Sequence, residues 1–298
     1  MTNKGFEASV TAKPFTNRNG FSWNTTFNYN KNRNKVDELA PGLSLVNIPG
    51  NGTQCGVNLQ ARVGEPYGQF FGRATRVDSA TGQQVLSGGL TQSPSGTNRV
   101  LGNVNPDWVG GWSNELRWKS WALNSLLDIR KGGKTFSIGN MWGTYAGILA
   151  TTLQGREVDW DKPGLVVPGL DQSTCGAGSH ATADGYYVCV GGQPNTTRVT
   201  AEDYRHGVYP ATDPYLYDSG FLTLRELRLS WEVPSSLAAK AHVNQMNIAA
   251  VGRNLWTHTN YPNYDAENAL NASNAGQGFE MGALPGLKTI GFNLTITP

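Results

Sequence analysis

From Phe21 to Asn30 apolar and polar side chains alternate without a break. Phe21, Trp23, Thr25, Phe27 and Tyr29 fall on one face; Ser22, Asn24, Thr26, Asn28 and Asn30 fall on the other. Alternation with period two is the pattern of a strand buried on one side. It recurs at Phe6–Lys13, where Phe6, Ala8, Val10 and Ala12 oppose Glu7, Ser9, Thr11 and Lys13. Further stretches run through Trp108–Trp118, Trp121–Arg130, Phe221–Glu232, Asn244–Trp256 and Lys288–Pro298. In the last of these, Ile290, Phe292, Leu294 and Ile296 oppose Thr289, Gly291, Asn293 and Thr295. The pattern therefore predicts seven main strands.

The links between them alternate in length. Short ones cover Pro14–Gly20, Lys119–Ser120 and Val233–Val243; long ones cover about 31–107, 131–220 and 257–287. The first long segment is expected to add a strand pair within Val63–Val77, and the second a short helix around Tyr145–Leu153. This rhythm predicts an all-β fold, an antiparallel transmembrane β-barrel with short periplasmic turns and long extracellular loops. On that parity the C-terminus is periplasmic. Two arginines, Arg225 and Arg253, fall on the nominal lipid-facing side, where a charge near the midplane costs about 2–4 kcal/mol. Seven is an odd number, whereas bacterial single-chain barrels have even numbers from about eight upward. An open sheet edge is not viable in lipid. The chain is therefore expected to be the C-terminal part of a larger barrel.

Composition supports a wall with one lipid-facing side and one wet side. Charged residues make up 15%, yet mean hydropathy is −0.40, so the polarity resides in Asn, Thr, Ser and Gly between aromatics. A net charge of +2 gives no argument for nucleic acid. No segment reaches the ~18 apolar residues of a transmembrane helix. The start, Met1 to Lys4, has no basic n-region, apolar stretch or cleavage site. With the strand pattern, this leads to the expectation that the true N-terminus lies upstream.

Candidate chemistry is sparse. Glu157, Asp159 and Asp161 form an E-x-D-x-D run, a weak candidate for Ca²⁺ ligation or for a glycosidase acid–base pair, against the alternative of a solvated acidic loop. His180, His206, His242 and His258 lack ligand spacing and read as surface residues. No catalytic residue and no cofactor is expected. Cys175 and Cys189 bracket a Gly/Ser/Tyr-rich loop and form a candidate disulfide; the alternative is three unpaired thiols with Cys55. Loop aromatics are abundant: Tyr67, Phe70, Phe71, Trp142, Tyr145, Trp160, Tyr186, Tyr187, Tyr204, Tyr209, Tyr261 and Tyr264. Most are expected to pack loops together and a few to meet a ligand or a covering protein. The contact candidates are Trp142, Tyr145, Trp160, Tyr204, Tyr261 and Tyr264.

Several motifs carry a family resemblance. N-P-D-W-V-G-G-W-S-N-E-L-R-W (Asn105 to Trp118) and K-S-W-A-L-N-S-L-L-D-I-R-K-G-G (Lys119 to Gly133) resemble a strand, tight turn and returning strand of the SusC/RagA TonB-dependent outer-membrane transporters. Y-L-Y-D-S-G-F-L-T-L-R-E-L-R-L-S-W (Tyr215 to Trp231), A-V-G-R-N-L-W-T-H-T-N-Y-P-N-Y-D-A-E (Ala250 to Glu267) and T-L-Q-G-R-E (Thr152 to Glu157) are similar to others, in family order. Asn263 and Ala266 stand where the family has Gly and Pro, and Pro298 where it usually ends in an aromatic. The resemblance implies the C-terminal portion of a barrel of ~22 strands with a plugged lumen, the N-terminal plug lying outside residues 1–298. It implies outer-membrane lipid around the wall, a SusD-like surface lipoprotein as lid, and the TonB complex acting through the missing part. Import of oligosaccharide or peptide fragments follows from it. The rival from another class is a soluble secreted β-sandwich, a carbohydrate-binding or adhesive module. A loop-borne glycosidase rests on the acidic run alone.

Overall fold

The computed structural model describes residues 1–48, 55–94, 99–156, 164–263, 265–267, 277–282 and 284–297. Seven long strands form one antiparallel sheet: β1 (Thr2–Arg18), β2 (Phe21–Lys35), β3 (Trp108–Trp118), β4 (Trp121–Lys131), β5 (Phe221–Glu232), β6 (Gln245–Thr259) and β7 (Thr289–Thr297). Each pairs with its neighbours in sequence order. Among the described residues the sheet does not close: β1 and β7 each keep one unpaired edge. The first strand runs well beyond the sequence expectation at both ends, and the second starts at Phe21 as expected but ends five residues later. β1 passes through the region read as a turn by means of irregular pairing around Phe15. The turn proper is Asn19-Gly20, with φ of 53° and 79°, the doubly positive geometry that a two-residue hairpin demands.

The registers place every apolar row on one face. Phe21, Trp118, Trp121 and Trp231 are successive Cα partners, so they form a band of rings at the short-turn end. At the other end Tyr29 sits 6.2 Å from Phe6 and 5.3 Å from Trp108. Between the two bands lie Val10, Phe27, Trp112, Leu123, Leu127 and Leu229. This face is left open: Phe6 and Val10 are each 62% exposed and Phe292 is 83% exposed. The opposite face is polar and internally bonded, with Glu7 accepting from Asn30 at 2.6 Å and the Thr11 and Thr26 hydroxyls 2.9 Å apart.

The two arginines read onto the lipid-facing side are on the polar face instead. A bulge at Arg225 resets the alternation of β5: Leu126 pairs with Glu226, and Leu127 with Leu224. The extra residue turns its guanidinium to Asp128, at 2.8–3.0 Å, and to Glu267. For Arg253, pairing of Ile248, Ala250 and Gly252 with Leu294, Phe292 and Ile290 assigns even positions of β6 to the apolar face. Arg253 therefore faces the other way and bonds Glu226 at 3.1 Å.

The long connections fold into one body at the end of the sheet away from the tight turns. Leu45–Ile48, Val57–Arg62, Gln69–Gly72 and Gly102–Asn103 make a four-stranded sheet. Of its central strands, Gln69–Gly72 lies in the window read as a strand pair, but its partner precedes that window. A second sheet joins Lys134–Ser137 to Leu216–Asp218 and, in parallel, to Phe279–Glu280. Helix α1 spans Ile138–Ala146, capped by Ser137 and ended by Gly147 at φ 69°. It starts seven residues before the expected helix; Ala150–Thr152 is a single 3₁₀ turn. Helices α2 (Ala201–Val208) and α3 (Ser235–Lys240) complete the set, α3 lying in the short link between β5 and β6. A shared core holds the connections together: Val57, Leu59, Phe70 and Val104 from the first, Phe136, Ile138, Met141 and Tyr215 from the second, and Phe279 from the third. The rings of Phe70 and Phe136 lie 5.6 and 6.2 Å from that of Phe279. Burying each such ring contributes about 1.5–3 kcal/mol, so the three connections stabilise one another.

Candidate functional site

Two features of the loop body have site-like character: a buried polar seam and an exposed aromatic platform. The seam is centred on Glu280, which is 3% exposed. Its carboxylate accepts from the hydroxyls of Ser137 at 2.6 Å and Tyr261 at 2.9 Å, from the Asn263 amide at 2.9 Å, and from the Gly282 N–H. Ser137 also accepts from the backbone N–H of Asn140, so the same hydroxyl starts α1 and pins the third connection to the second. Burial raises the Tyr261 phenol above its ordinary range, and the Glu280 charge pushes it the same way. Burial raises Tyr217 as well, against the hydrogen bond from Asn140. Tyr215, in the adjoining core, is pushed up to about 12 by burial. All three phenols are thus held neutral, and the seam fastens the loops.

The platform lies on α1 and α2. Serine and glycine caps set the length of α1, and Trp142 and Tyr145, three apart, share one face. Each is nearly half exposed. The Tyr145 ring is stacked 4.4 Å from His206 and lies 4.8 Å from Tyr209; Trp142 lies 5.5 Å from Tyr209. Thr200 caps α2 by accepting from Asp203 N–H, which fixes His206 and Tyr209 on the side facing α1. Ile148 and Leu153, in the segment that follows α1, are exposed as well. Such a surface can bind flat apolar or sugar faces by stacking and CH contact.

Of the contact candidates, the fold brings Trp142 and Tyr145 together. Tyr204 is on α2, its ring 4.7 Å from the Arg205 guanidinium. Tyr261 is only 4% exposed and committed to Glu280, away from solvent. Trp160 and Tyr264 lie outside the described residues, as do Glu157, Asp159 and Asp161. Among the described residues no group of three or more His, Cys, Asp or Glu could hold a metal. Sequence reasoning missed His206 as a platform member, and the available signal was its i, i+3 spacing to Tyr209. Most other loop aromatics pack: Phe71 under Arg62 at 3.6 Å, Tyr186 under Arg99 at 4.5 Å, Tyr187 near Arg76 at 5.1 Å.

A disulfide joins Cys175 to Cys189, leaving Cys55 free and half-buried. Asp78 anchors this hairpin by accepting from Cys189 N–H at 3.0 Å and from the N–H and hydroxyl of Thr81, each at 2.8 Å. Burial opposes the Asp78 carboxylate, but these bonds outweigh it and lower the pKa.

No family model matches the chain. TonB-dependent receptor P3 of Formosa agariphila is 25% identical over 321 residues, covering 99% of this chain and 28% of the relative. TonB-dependent receptor P39 of the same organism is 23% identical over 90% of this chain and 27% of the relative. Among solved structures, the RagAB peptide importer in its closed-closed state superposes with a TM-score of 0.63 at 18% identity, over 99% of this chain and 29% of that one. Its open-open state gives 0.62 at 19% identity. The chain is similar in sequence to a segment of these TonB-dependent receptors and shares the fold of the matching part of the RagAB importer. It spans a little over a quarter of the length of the receptors it matches. The open seven-stranded sheet has the fold of the matching part of RagAB, and the platform and seam belong to the long connections between its strands.

Proposed function

We propose that this segment forms wall and outer loops of a SusC-like outer-membrane importer, its short turns and C-terminus periplasmic and its loop body extracellular. The observation that carries the reading is the open apolar face, bounded by ring bands at both ends and backed by a polar face. A soluble sandwich would cover such a face with a second sheet; here Phe292 and Ile290 are more than three-quarters exposed, as lipid-facing residues should be. The segment carries out no bond chemistry. It supplies cavity wall and a docking surface, while the rest of the receptor supplies the plug and the TonB contact. The platform of Trp142, Tyr145, His206 and Tyr209 is where a SusD-like lipoprotein or an oligomeric nutrient, peptide or glycan, makes contact.

Fractionation of cells carrying the full-length receptor is expected to place it in the outer membrane with heat-modifiable migration. Recovery in the soluble or secreted fraction would falsify the reading. Trp142→Ala with Tyr145→Ala should lower uptake of the cognate oligomer, or capture of the lipoprotein, at least tenfold, since stacked aromatic anchors are each worth about 1–2 kcal/mol or more. Outer-membrane level should stay unchanged. Feeding labelled peptides and glycans in parallel separates the two substrate classes.

A further inference from the structure

We propose that the loop-end margin of the apolar face binds the phosphates of an outer-leaflet phosphoglycolipid; this rests on the sheet being outer-membrane wall. On β2 the apolar face continues past Tyr29 through Lys31, Arg33 and Lys35, because alternation is unbroken to the strand end. Their Cα partners on β1 are Phe6, Lys4 and Thr2. Lys4 and Arg33 are thus directly opposed cations on one face. Two strands along, Lys131 ends β4 on the same face as the partner of Trp108. Five cations therefore extend from level with the ring band, at Lys31 opposite Phe6 and Lys131 opposite Trp108, to four residues beyond Phe6, at Lys35 opposite Thr2.

Their surroundings do not neutralise them. Among the described residues none of the five takes part in an ion pair. Asp37, the carboxylate that senses Lys35, is held by the Thr2 hydroxyl at 2.6 Å. Glu7 is on the polar face with Asn30. Asp107 borders the same crevice as Arg33 without pairing with it. Like charges placed directly opposite on a sheet destabilise it unless an anion lies between them. A water-exposed row of lysines would be an ordinary solvated surface. This row instead continues a lipid-facing strand face, from level with Phe6 to about 13 Å beyond it, at headgroup depth.

The geometry fits one chemistry. An acylated, phosphorylated glycan lipid would lay its chains along Phe6, Phe27 and Tyr29 and its phosphates among Lys4, Lys31, Arg33 and Lys35. Arg33 offers a bidentate fork to phosphate and the lysines act as point charges.

The test uses the full-length receptor purified in detergent, with bisphosphorylated lipid A, its dephosphorylated form and phosphatidylglycerol as probes. Binding is read as stabilisation of the heat-modifiable form against temperature. Bisphosphorylated lipid A should bind in preference to both others, more weakly as salt rises. A variant carrying K4Q, K31Q, R33Q and K35Q should bind it at least about tenfold more weakly, each cation near an anionic surface counting severalfold. Lys240→Gln, on α3 at the other end of the sheet, should bind like wild type. The milder pair K4Q and R33Q keeps the test open if the fourfold variant folds poorly, and should show an intermediate loss. Equal binding by wild type and a folded variant overturns the proposal, as does equal binding of dephosphorylated lipid or of phosphatidylglycerol. Absence of the wild-type receptor from the outer membrane would instead remove the wall reading beneath it.

Discussion

At the scale of single residues, the most consequential group is Glu280. A buried carboxylate is tolerated only where donors surround it, and here four converge: Ser137, Tyr261, Asn263 and the Gly282 N–H. Glu280→Gln keeps the shape but turns an amide NH₂ toward donors. At least one bond is lost and one buried donor is left unpaired, at a cost of about 1–3 kcal/mol. The third connection should then loosen from the second. Hydrogen exchange is expected to rise in 277–282 and 260–263, with the wall strands unaffected. Unchanged protection in those segments would show that the phenylalanine core alone holds them. Nothing in the sequence singled out Glu280, because its side-chain donors are 17 to 143 residues away. Trp142 and Tyr145 were each singled out as loop aromatics, but the helix expected around Tyr145–Leu153 left Trp142 outside it, so their shared face on α1 was not legible either.

Strands were the legible elements, since period two is written locally in each. What local pattern could not supply was where alternation breaks. Arg225 read as a charge in lipid because counting by twos from Leu227 puts it there; the bulge that removes it depends on Asp128 and Glu267, on β4 and in the third connection. The ion pairs themselves are partly exposed and worth about 1 kcal/mol or less each. Register matters far more. Inserting one residue between Leu227 and Arg228, in the regularly paired part of β5, should slip Phe221–Leu227 by one residue against both neighbours, carrying Leu222, Leu224 and Leu227 to the polar face. Arg225→Ala keeps the residue count and should be mild. In the full-length receptor, the insertion is expected to abolish outer-membrane accumulation and heat-modifiable migration, whereas the alanine variant retains both. Equal behaviour of the two would mean that the register of β5 does not govern assembly of the wall. The helix boundary failed for a related reason: α1 is fixed by the Ser137 cap and Gly147, whereas the expected helix began at Tyr145, seven residues too late.

At the scale of the whole molecule, the parity of short and long links came from sequence alone, and the sheet order follows it strand by strand. The fusion of three long connections into one core did not, because Phe70, Phe136 and Phe279 carry no mark of their mutual contact before folding. That fusion has a consequence for the isolated chain. The loop body has its own buried core and disulfide, so it can hold together without a closed wall. The wall cannot: β1 and β7 each present an unpaired backbone edge, and each unsatisfied group in a membrane costs several kcal/mol. Bending seven strands back on themselves would also break the even count on which alternating turns and loops depend. We therefore expect residues 1–298, refolded alone in detergent, to form the Cys175–Cys189 bridge and a protease-resistant loop body. The wall should stay open, without heat-modifiable migration, and associate through its edges. Supplying the remaining strands of the receptor in trans should suppress that association and restore heat-modifiability. A monomeric, heat-modifiable product from this chain alone, with β1 cross-linking to β7, would show that the seven strands close by themselves and that the larger wall is not needed.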